Sequence, residues 1–523
     1  MSGGWTAAAW CRRGALAIAL AVLLSACAAQ TVQRSDDESL PRLAAEDVIA
    51  SALTHVTERY IEPVPLDVVG LEGMRGLGAI DPVISVEREG ERLVLAMDGD
   101  DVAHFPLPAR DDAAGWSTAT LEVTMAARAH SADLRAAPAE KIYEAVLDGV
   151  LSGLDGFSCY AGAAEARENR AKREGFGGIG VSFKLINDEP RISSVIEGGP
   201  AARAGLLVGD VIVRVDGKAT RGMSIGALSK FIRGHVDEPI DLAIRRAEGA
   251  AVIDMTLVRR HVVPPTVTVT ADGGIVVVRI SAFNQETATS LERKLRRVRA
   301  TMAVEMRGLV IDLRGNPGGL MRPAIQIADL FLSQGTIIRT RGRHADSNQY
   351  YAASGADLAQ GLPIVVLIDG ASASAAEILA AALQDRGRAV VAGTTSYGKG
   401  TVQTVMRLPN EGEVTLTWSR LIAPSGYHLH RLGVFPGICT SRGKAVERVL
   451  ARDREKRTQK AETLARWRRQ PHDDQLRRRL RAKCRSQYRR GEVDLEMAKR
   501  LIDERARYAA ALMPHAESTA ERK

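Results

Sequence analysis

Four apolar runs constrain the fold more than anything else in the chain: "GIVVVRIS" (274–281), "RGLVIDL" (307–313), "PIVVLIDG" (363–370) and "RAVVAG" (388–393). Each is apolar at consecutive positions rather than at every second one. A strand wetted on one face alternates apolar and polar residues, whereas a continuous run fits a strand covered on both faces. Between the runs lie stretches with helical spacing: "ETATSLERKLRRVRATM" (286–302), where Leu291, Leu295 and Val298 make one apolar face, "MRPAIQIADLFL" (321–332) and "SAAEILAAALQDRG" (374–387). The succession predicts an α/β core with a covered sheet.

A lysine between two glycines, in "GTTSYGKGTV" (393–402), comes close to a phosphate-binding loop, because Gly393, Gly398 and Lys399 reproduce G-x-x-x-x-G-K. Gly400 stands where such a loop needs Ser or Thr to hold magnesium. The next segments, "TVQTVMRL" (401–408) and "EVTLTWSRLI" (413–422), predict a hairpin instead of the helix whose N-terminus would face phosphates. Nucleotide binding is therefore set aside. Upstream, the strand 363–370 runs into a helix with Ser374 at the junction. Ser374-x-x-Glu377 has the form of a capping box, which would satisfy orphan amides at the helix start. The same position is one where free amides and the helix dipole stabilise a developing oxyanion. On this segment alone both readings stand.

Residues 174–260 alternate strands and short helices around "GGPAARAGLLVGDVIVRVDG" (198–217), a segment that resembles a PDZ domain. The resemblance makes Gly178, Ile179, Gly180 and Val181 the ligand loop, whose N–H groups would cradle a C-terminal carboxylate while the ligand adds as a strand.

Taken together, "RGLVIDLRGNPGG" (307–319), "GASASAAEILAAALQDRGRAVVAG" (370–393) and "SYGKGTVQ" (396–403), behind a PDZ-like unit, resemble the C-terminal processing (tail-specific) serine peptidases. The resemblance covers about residues 140–440 and includes "LDGFSCY" (154–160). It implies a ClpP/crotonase-like peptidase core with an inserted PDZ domain, a mixed N-terminal domain and a basic helical C-terminal tail. It also implies a Ser-Lys dyad: Ser374 as nucleophile, with Ser372 as fallback, Lys399 as general base and Gln403 orienting the amine. A separation of four keeps Lys399 and Gln403 on one side of a strand or helix alike. A lysine at its ordinary pKa near 10.4 is protonated, so burial without a counter-charge must lower it, and Gln403 accepts a hydrogen bond without adding charge. Backbone N–H groups of Gly318 and Ala375 would form the oxyanion hole, with Gly319 as the alternative to Gly318. Asp312, Arg314 and Asn316 read as shaping that loop. Two departures from the family pattern, Gly437 in "GVFPGICT" (433–440) and Gly156-Phe157 in "LDGFS", touch loops and remove no catalytic group.

The N-terminus reads as an export signal: Arg12 and Arg13, an apolar stretch from 14 to 26, and "LSAC", which resembles the bacterial lipoprotein box and makes Cys27 the lipidated residue. Ala28 after it favours the outer membrane by the Gram-negative sorting rule. Cys159, Cys439 and Cys484 then remain in an oxidising compartment, where Cys439 with Cys484 is the pair that would pin the tail to the body, though the pairing stays open. From Ser441 onward there are 25 Lys/Arg against 13 Asp/Glu, so the net charge of +8 belongs to the tail. That distribution reads as solvated helices with a partner-binding surface, and Trp467 as part of a solvated face; nucleic acid is not expected. His428 and His430 share a strand face without further ligands, and no metal or other cofactor is expected.

The expected organisation is a signal peptide (1–26), a tether (27–44), an N-terminal domain (45–165), a PDZ domain (172–261), a serine peptidase core (264–440) and the tail (441–523). The segment 71–110 matches nothing recognisable. The function expected is a periplasmic, lipid-anchored serine endopeptidase that takes proteins with exposed apolar C-termini. An adaptor and a homo-oligomer are the other partners the resemblance allows, and the alternative function is a catalytically silent PDZ scaffold.

Overall fold

A computed structural model describes residues 40–246, 251–302, 305–441, 445–455, 457–469, 473–488 and 491–512. The expected signal peptide, Cys27 and most of the tether lie outside the described residues. Among those described, no helix is long and apolar enough to cross a membrane. The chain forms two compact units, one of residues up to 168 with 339–350 and 401–421, the other of 169–338, 351–400 and 422 onward.

The first unit packs the helices Arg42–Arg59, Leu66–Arg75, Ala113–His130 and Ala139–Ser152 around a core that includes Leu53, Met74, Trp116, Leu121 and Leu147. The segment 71–110, opaque in sequence, is the end of one helix followed by an antiparallel meander of Ile84–Glu89, Arg92–Met97 and Asp100–Pro106. Its Val86, Leu93 and Leu95 are fully buried. This unit also takes in the hairpin Thr401–Arg407 and Glu413–Ile422, which the sequence reading assigns to the peptidase core. The reason is apolar: Leu408, Val414 and Leu416 pack among the helical residues, and Cys159–Ala161 pairs with the second strand.

In the second unit, residues 176–262 form a five-strand path ordered Val252–Val258, Pro239–Arg245, Val211–Val215, Glu189–Val195, Val181–Ile186, with the short helices Pro200–Arg203 and Ile225–Ile232. Its core is Ile179, Ile192, Ile212, Leu228, Ile240 and Leu242, among others. The strand Val181–Ile186 lies at one edge of the sheet.

The rest of this unit is built on a six-stranded sheet in the order Val267–Asp272, Ile275–Ile280, Gly308–Asp312, Ile364–Ile368, Val390–Gly393, Ile438–Cys439. The first pair is antiparallel and the others parallel. Gly308–Asp312, Ile364–Ile368 and Val390–Gly393 are buried at every position, as continuous apolar runs require. The helix Ala375–Asp385 is buried at all eleven positions.

The tail is not a solvated appendage. Val446, Val449, Leu450, Met497, Ala498, Leu501, Ile502 and Tyr508 form one cluster with Ile275, Val310, Val365, Leu367, Val390 and Ile438, covering one face of the sheet. Trp467 is fully buried, its Nε1 donates to the Gly433 carbonyl at 3.2 Å, and its ring lies tilted on Phe435. Sequence reasoning missed this because the apolar residues are diluted among arginines. Those arginines are partly spent on the protein itself: Arg468 donates to Asp385 at 2.9 Å and Arg481 to the Ser396 carbonyl at 2.9 Å. A Cys439–Cys484 disulfide, 45 residues apart in sequence, fixes the tail to the last strand of the sheet, and closing such a loop restricts the unfolded chain.

If the tail is core, truncating a buried side chain in it must destabilise the protein. Leu501, fully buried, changed to Ala should cost roughly 2–5 kcal/mol in urea unfolding; a change below about 0.5 kcal/mol, typical of a surface site, would mean the tail does not cover the sheet.

Candidate active site

The strand Ile364–Ile368 ends in a tight turn built on Asp369, whose Oδ1 accepts N–H bonds from Gly315 and Ala371, both at 2.9 Å. Ser372 is fully buried; its hydroxyl donates to the Leu313 carbonyl at 2.8 Å and accepts from the Asp369 N–H at 2.9 Å. It braces the turn. Ser374, at the helix start, is half-buried and has φ 54° and ψ −115°. An ordinary N-cap sits in the extended region, and a non-glycine residue at positive φ is strained and persists where the surroundings impose it.

The surroundings here include the turn at Gly318-Gly319. A Cβ on Gly318 would lie 2.7 Å from the Ala373 carbonyl oxygen and 2.9 Å from Ser374 Cβ, so only glycine fits against the serine. The Gly318 N–H donates to Asn316 Oδ1 at 2.8 Å, and Asn316 in turn donates from Nδ2 to the Ile280 carbonyl at 2.8 Å. The bridge to Phe283 uses the Gly318 carbonyl and the Leu320 N–H, which leaves the Gly319 N–H out of it. Ala375 is the first residue of its helix, a position whose N–H has no intrahelical acceptor. Asp312 and Arg314 pair bidentately, Nε to Oδ1 and NH2 to Oδ2, each at 2.9 Å, and shape the same loop.

Lys399 lies half-buried in residues 394–400, which form no strand or helix. Its flanking glycines are sterically required. A Cβ on Gly400 would meet the His430 nitrogen at 1.9 Å and the Leu429 carbonyl carbon at 2.3 Å, and Gly398 has φ 95°. The loop therefore runs hard against the segment 429–431.

One side chain ties this loop to the serine turn. Glu377 is completely buried. Its Oε2 accepts the Ser374 N–H at 2.8 Å and the Lys399 N–H at 2.9 Å; its Oε1 accepts the Gly398 N–H at 2.7 Å and the Ser396 hydroxyl at 2.5 Å. Burial pushes the Glu377 carboxyl above its ordinary value, against the pull of these donors and of Arg481. The sequence shows half of this, the capping-box spacing to Ser374. It gives no sign of the other half, whose donors arrive from about twenty positions away.

Gln403 belongs to the hairpin of the first unit, where the register shifts between Val402 and Gln403. Its Nε2 donates to Thr401 Oγ1 at 2.9 Å and Thr417 Oγ1 at 3.2 Å. In the PDZ-like region, Gly178 closes the strand Phe176–Gly178. Ile179 and Gly180 turn their carbonyls inward to the N–H groups of Ala201 (2.9 Å) and Ile196 (2.8 Å), and Val181 opens the edge strand opposite Val195. Among the described residues no group of three or more His, Cys, Asp or Glu could hold a metal ion.

Residues 274–439 match peptidase family S41, and residues 191–246 match a PDZ domain. A carboxy-terminal-processing protease of Bartonella bacilliformis is 37% identical over 301 residues, 57% of this chain and 69% of the relative. The carboxy-terminal processing protease CtpA of Bacillus subtilis is 31% identical over 303 residues, 57% of this chain and 64% of the relative. Among solved structures, the photosystem II D1 C-terminal processing protease is 23% identical, covering 75% of this chain and 92% of its own, with a TM-score of 0.37. The PDZ domain of a carboxy-terminal protease from Vibrio cholerae, solved in complex with peptide, is 26% identical, covering 17% of this chain and 96% of its own, with a TM-score of 0.16. The match to the Bartonella protease, with both domain matches in the expected order, shows that the chain belongs to the carboxy-terminal-processing serine peptidases of family S41, with an α/β peptidase core and a PDZ domain.

Proposed function

We propose that this protein is a periplasmic serine endopeptidase, anchored by lipid at Cys27 to the outer membrane, whose PDZ domain takes the C-terminus of a protein substrate and whose Ser374–Lys399 dyad cuts the chain. The observation that carries the dyad is the shared oxygen of Glu377. Because Oε2 accepts from both main-chain nitrogens, Ser374 N and Lys399 N lie within roughly 6 Å of each other. The strain at Ser374 and the burial of the alternative serine, Ser372, point the same way.

In this reading the neutral Lys399 amine takes the proton from Ser374 Oγ as that oxygen attacks the scissile carbonyl carbon. The oxyanion is met by the Ala375 N–H and by the Gly318-Gly319 turn, where Gly318 N–H is held by Asn316 and that of Gly319 is not. As the C–N bond breaks, the Lys399 ammonium returns its proton to the leaving amine. Water then attacks the acyl ester, with Lys399 again taking a proton, and the new C-terminal carboxylic acid leaves as Ser374 is restored. Gln403 gives its amide hydrogens to Thr401 and Thr417, which leaves Oε1 as the uncharged acceptor that an orienting role asks for. The C-terminal residues of a substrate add to the edge strand Val181–Ile186, and their carboxylate meets the loop of Gly178, Ile179, Gly180 and Val181.

Ser374→Ala and Lys399→Ala should each lower kcat on an unstructured protein with an apolar C-terminus by at least about a thousand-fold. Full activity in either would sink the dyad, whereas no cleavage by the wild type would leave a catalytically silent PDZ scaffold as the better reading. A peptide ending in a carboxamide should bind at least about tenfold more weakly than the same peptide with a free carboxylate, and equal affinity contradicts capture of C-termini. For Glu377, the raised carboxyl means that its contribution to stability is complete below about pH 4.5 and is lost as pH rises through the folded value. The unfolding free energy of wild type minus that of Glu377→Gln should therefore fall from pH 4.5 upward, and a difference that rises with pH contradicts this placement of the carboxyl.

A further inference from the structure

The match to the peptidase family ends at residue 439, yet the tail beyond it reaches each of the loops on which the proposed dyad stands. Arg481, on the helix Asp474–Ala482, is the centre of these contacts. Its NH2 donates to the Ser396 carbonyl at 2.9 Å and the Tyr397 carbonyl at 3.4 Å, and its NH1 donates to the Leu432 carbonyl. Just beyond, the Cys484 carbonyl accepts the Thr395 hydroxyl at 2.6 Å, and the Gln487 carbonyl accepts the Thr394 hydroxyl at 3.0 Å and the Gly370 N–H at 2.8 Å. The residues 394–400 have neither strand nor helix to satisfy their carbonyls, and buried carbonyls need donors from somewhere. Arg481 supplies them to Ser396 and Tyr397, while the Gly398 carbonyl accepts the Arg431 N–H at 2.8 Å.

We propose that Arg481 is a positioning residue for the general base: its guanidinium fork fixes the peptide planes two and three residues before Lys399, and so fixes where the lysine amine can stand. The inference rests on the dyad reading. The fork is suited to the task because a planar, always-charged group presents several donors in a rigid arrangement, which a flexible ammonium cannot copy. Its positive charge also faces Glu377, through Ser396, whose carbonyl accepts from Arg481 while its hydroxyl donates to Glu377 Oε1. Arg477, on the same helix, adds a repelling charge beside it. The Cys439–Cys484 bridge holds the carbonyl of Cys484 at the Thr395 end of the same loop.

The test is steady-state kinetics of the full chain on an unstructured protein substrate, well below each variant's unfolding midpoint. Ser374→Ala and Lys399→Ala run alongside. Arg481→Met keeps the apolar stem and removes the fork. Thr395→Val, a second variant of nearly unchanged volume, removes the hydroxyl bonded to Cys484. A displacement of the base on the order of 1 Å costs about a hundredfold, so both variants should lose roughly ten- to a hundredfold in kcat with KM within about twofold. Arg481→Lys should recover only part of the loss. If both folded variants keep wild-type kcat while the Ser374 and Lys399 variants are dead, the tail merely covers the sheet and the inference fails alone. If the Ser374 and Lys399 variants stay active, the dyad reading fails and takes this inference with it.

Discussion

A single buried carboxylate does most to define the centre of this protein. Glu377 accepts from Ser374, Ser396, Gly398 and Lys399, which belong to two segments about twenty residues apart. A carboxylate removed from water is costly unless its oxygens are fully hydrogen-bonded. The cost is what makes the arrangement specific, because any shift of either loop would leave the acceptor unsatisfied in a helix that is buried on all sides. Ser396 suits the shared position, since its hydroxyl also accepts the Val434 N–H at 2.7 Å and a hydroxyl can either donate or accept. The strained backbone of Ser374 is held by this set of bonds and by the close approach of Gly318.

That helix in turn needs a sheet beneath it and a sheet needs a second cover. Parallel strands with continuous apolar sequences are stable when both faces are dry. Here the second face is closed by the helices Val446–Glu455, Glu492–Asp503 and Arg505–Ala511, which contribute Val449, Met497, Leu501 and Tyr508 to one cluster with the strands. The tail thus links two roles. Its apolar side chains complete the core, and its polar groups reach the loops at the ends of the same strands. Tyr508 illustrates the first role in miniature, its hydroxyl bonding the Ile364 N–H at 3.0 Å and the Ile364 carbonyl at 3.1 Å while its ring fills the cluster.

The sheet was legible in the sequence because continuous apolar runs have few other homes, and the hairpin after Lys399 because its residues favour strands over a helix start. The PDZ-like unit was legible from a long motif in a fitting order of elements. The cover of the sheet was not, for a physical reason: an arginine that donates to three carbonyls reads the same in sequence as one in water. Arg481 is of that kind, and Arg468, which donates to the Asp385 carboxylate, is equally hidden. Nor could spacing reveal that Gly318 would give its N–H to Asn316, since that depends on a turn closing back on its own side chain. Gly400 stood out in sequence for breaking the phosphate-loop pattern; what requires glycine there is the approach of the Leu429 and His430 backbone.

The central claim is that the hydroxyl made reactive by this arrangement belongs to Ser374 and is activated by Lys399. It is tested most directly by treating the full chain with a fluorophosphonate and locating the adduct by peptide mass spectrometry. The account predicts one phosphonylated residue, Ser374, formed at least about a hundredfold more slowly in Lys399→Ala. An adduct on Ser372 or elsewhere, or labelling of Ser374 at an unchanged rate without the lysine, would contradict it.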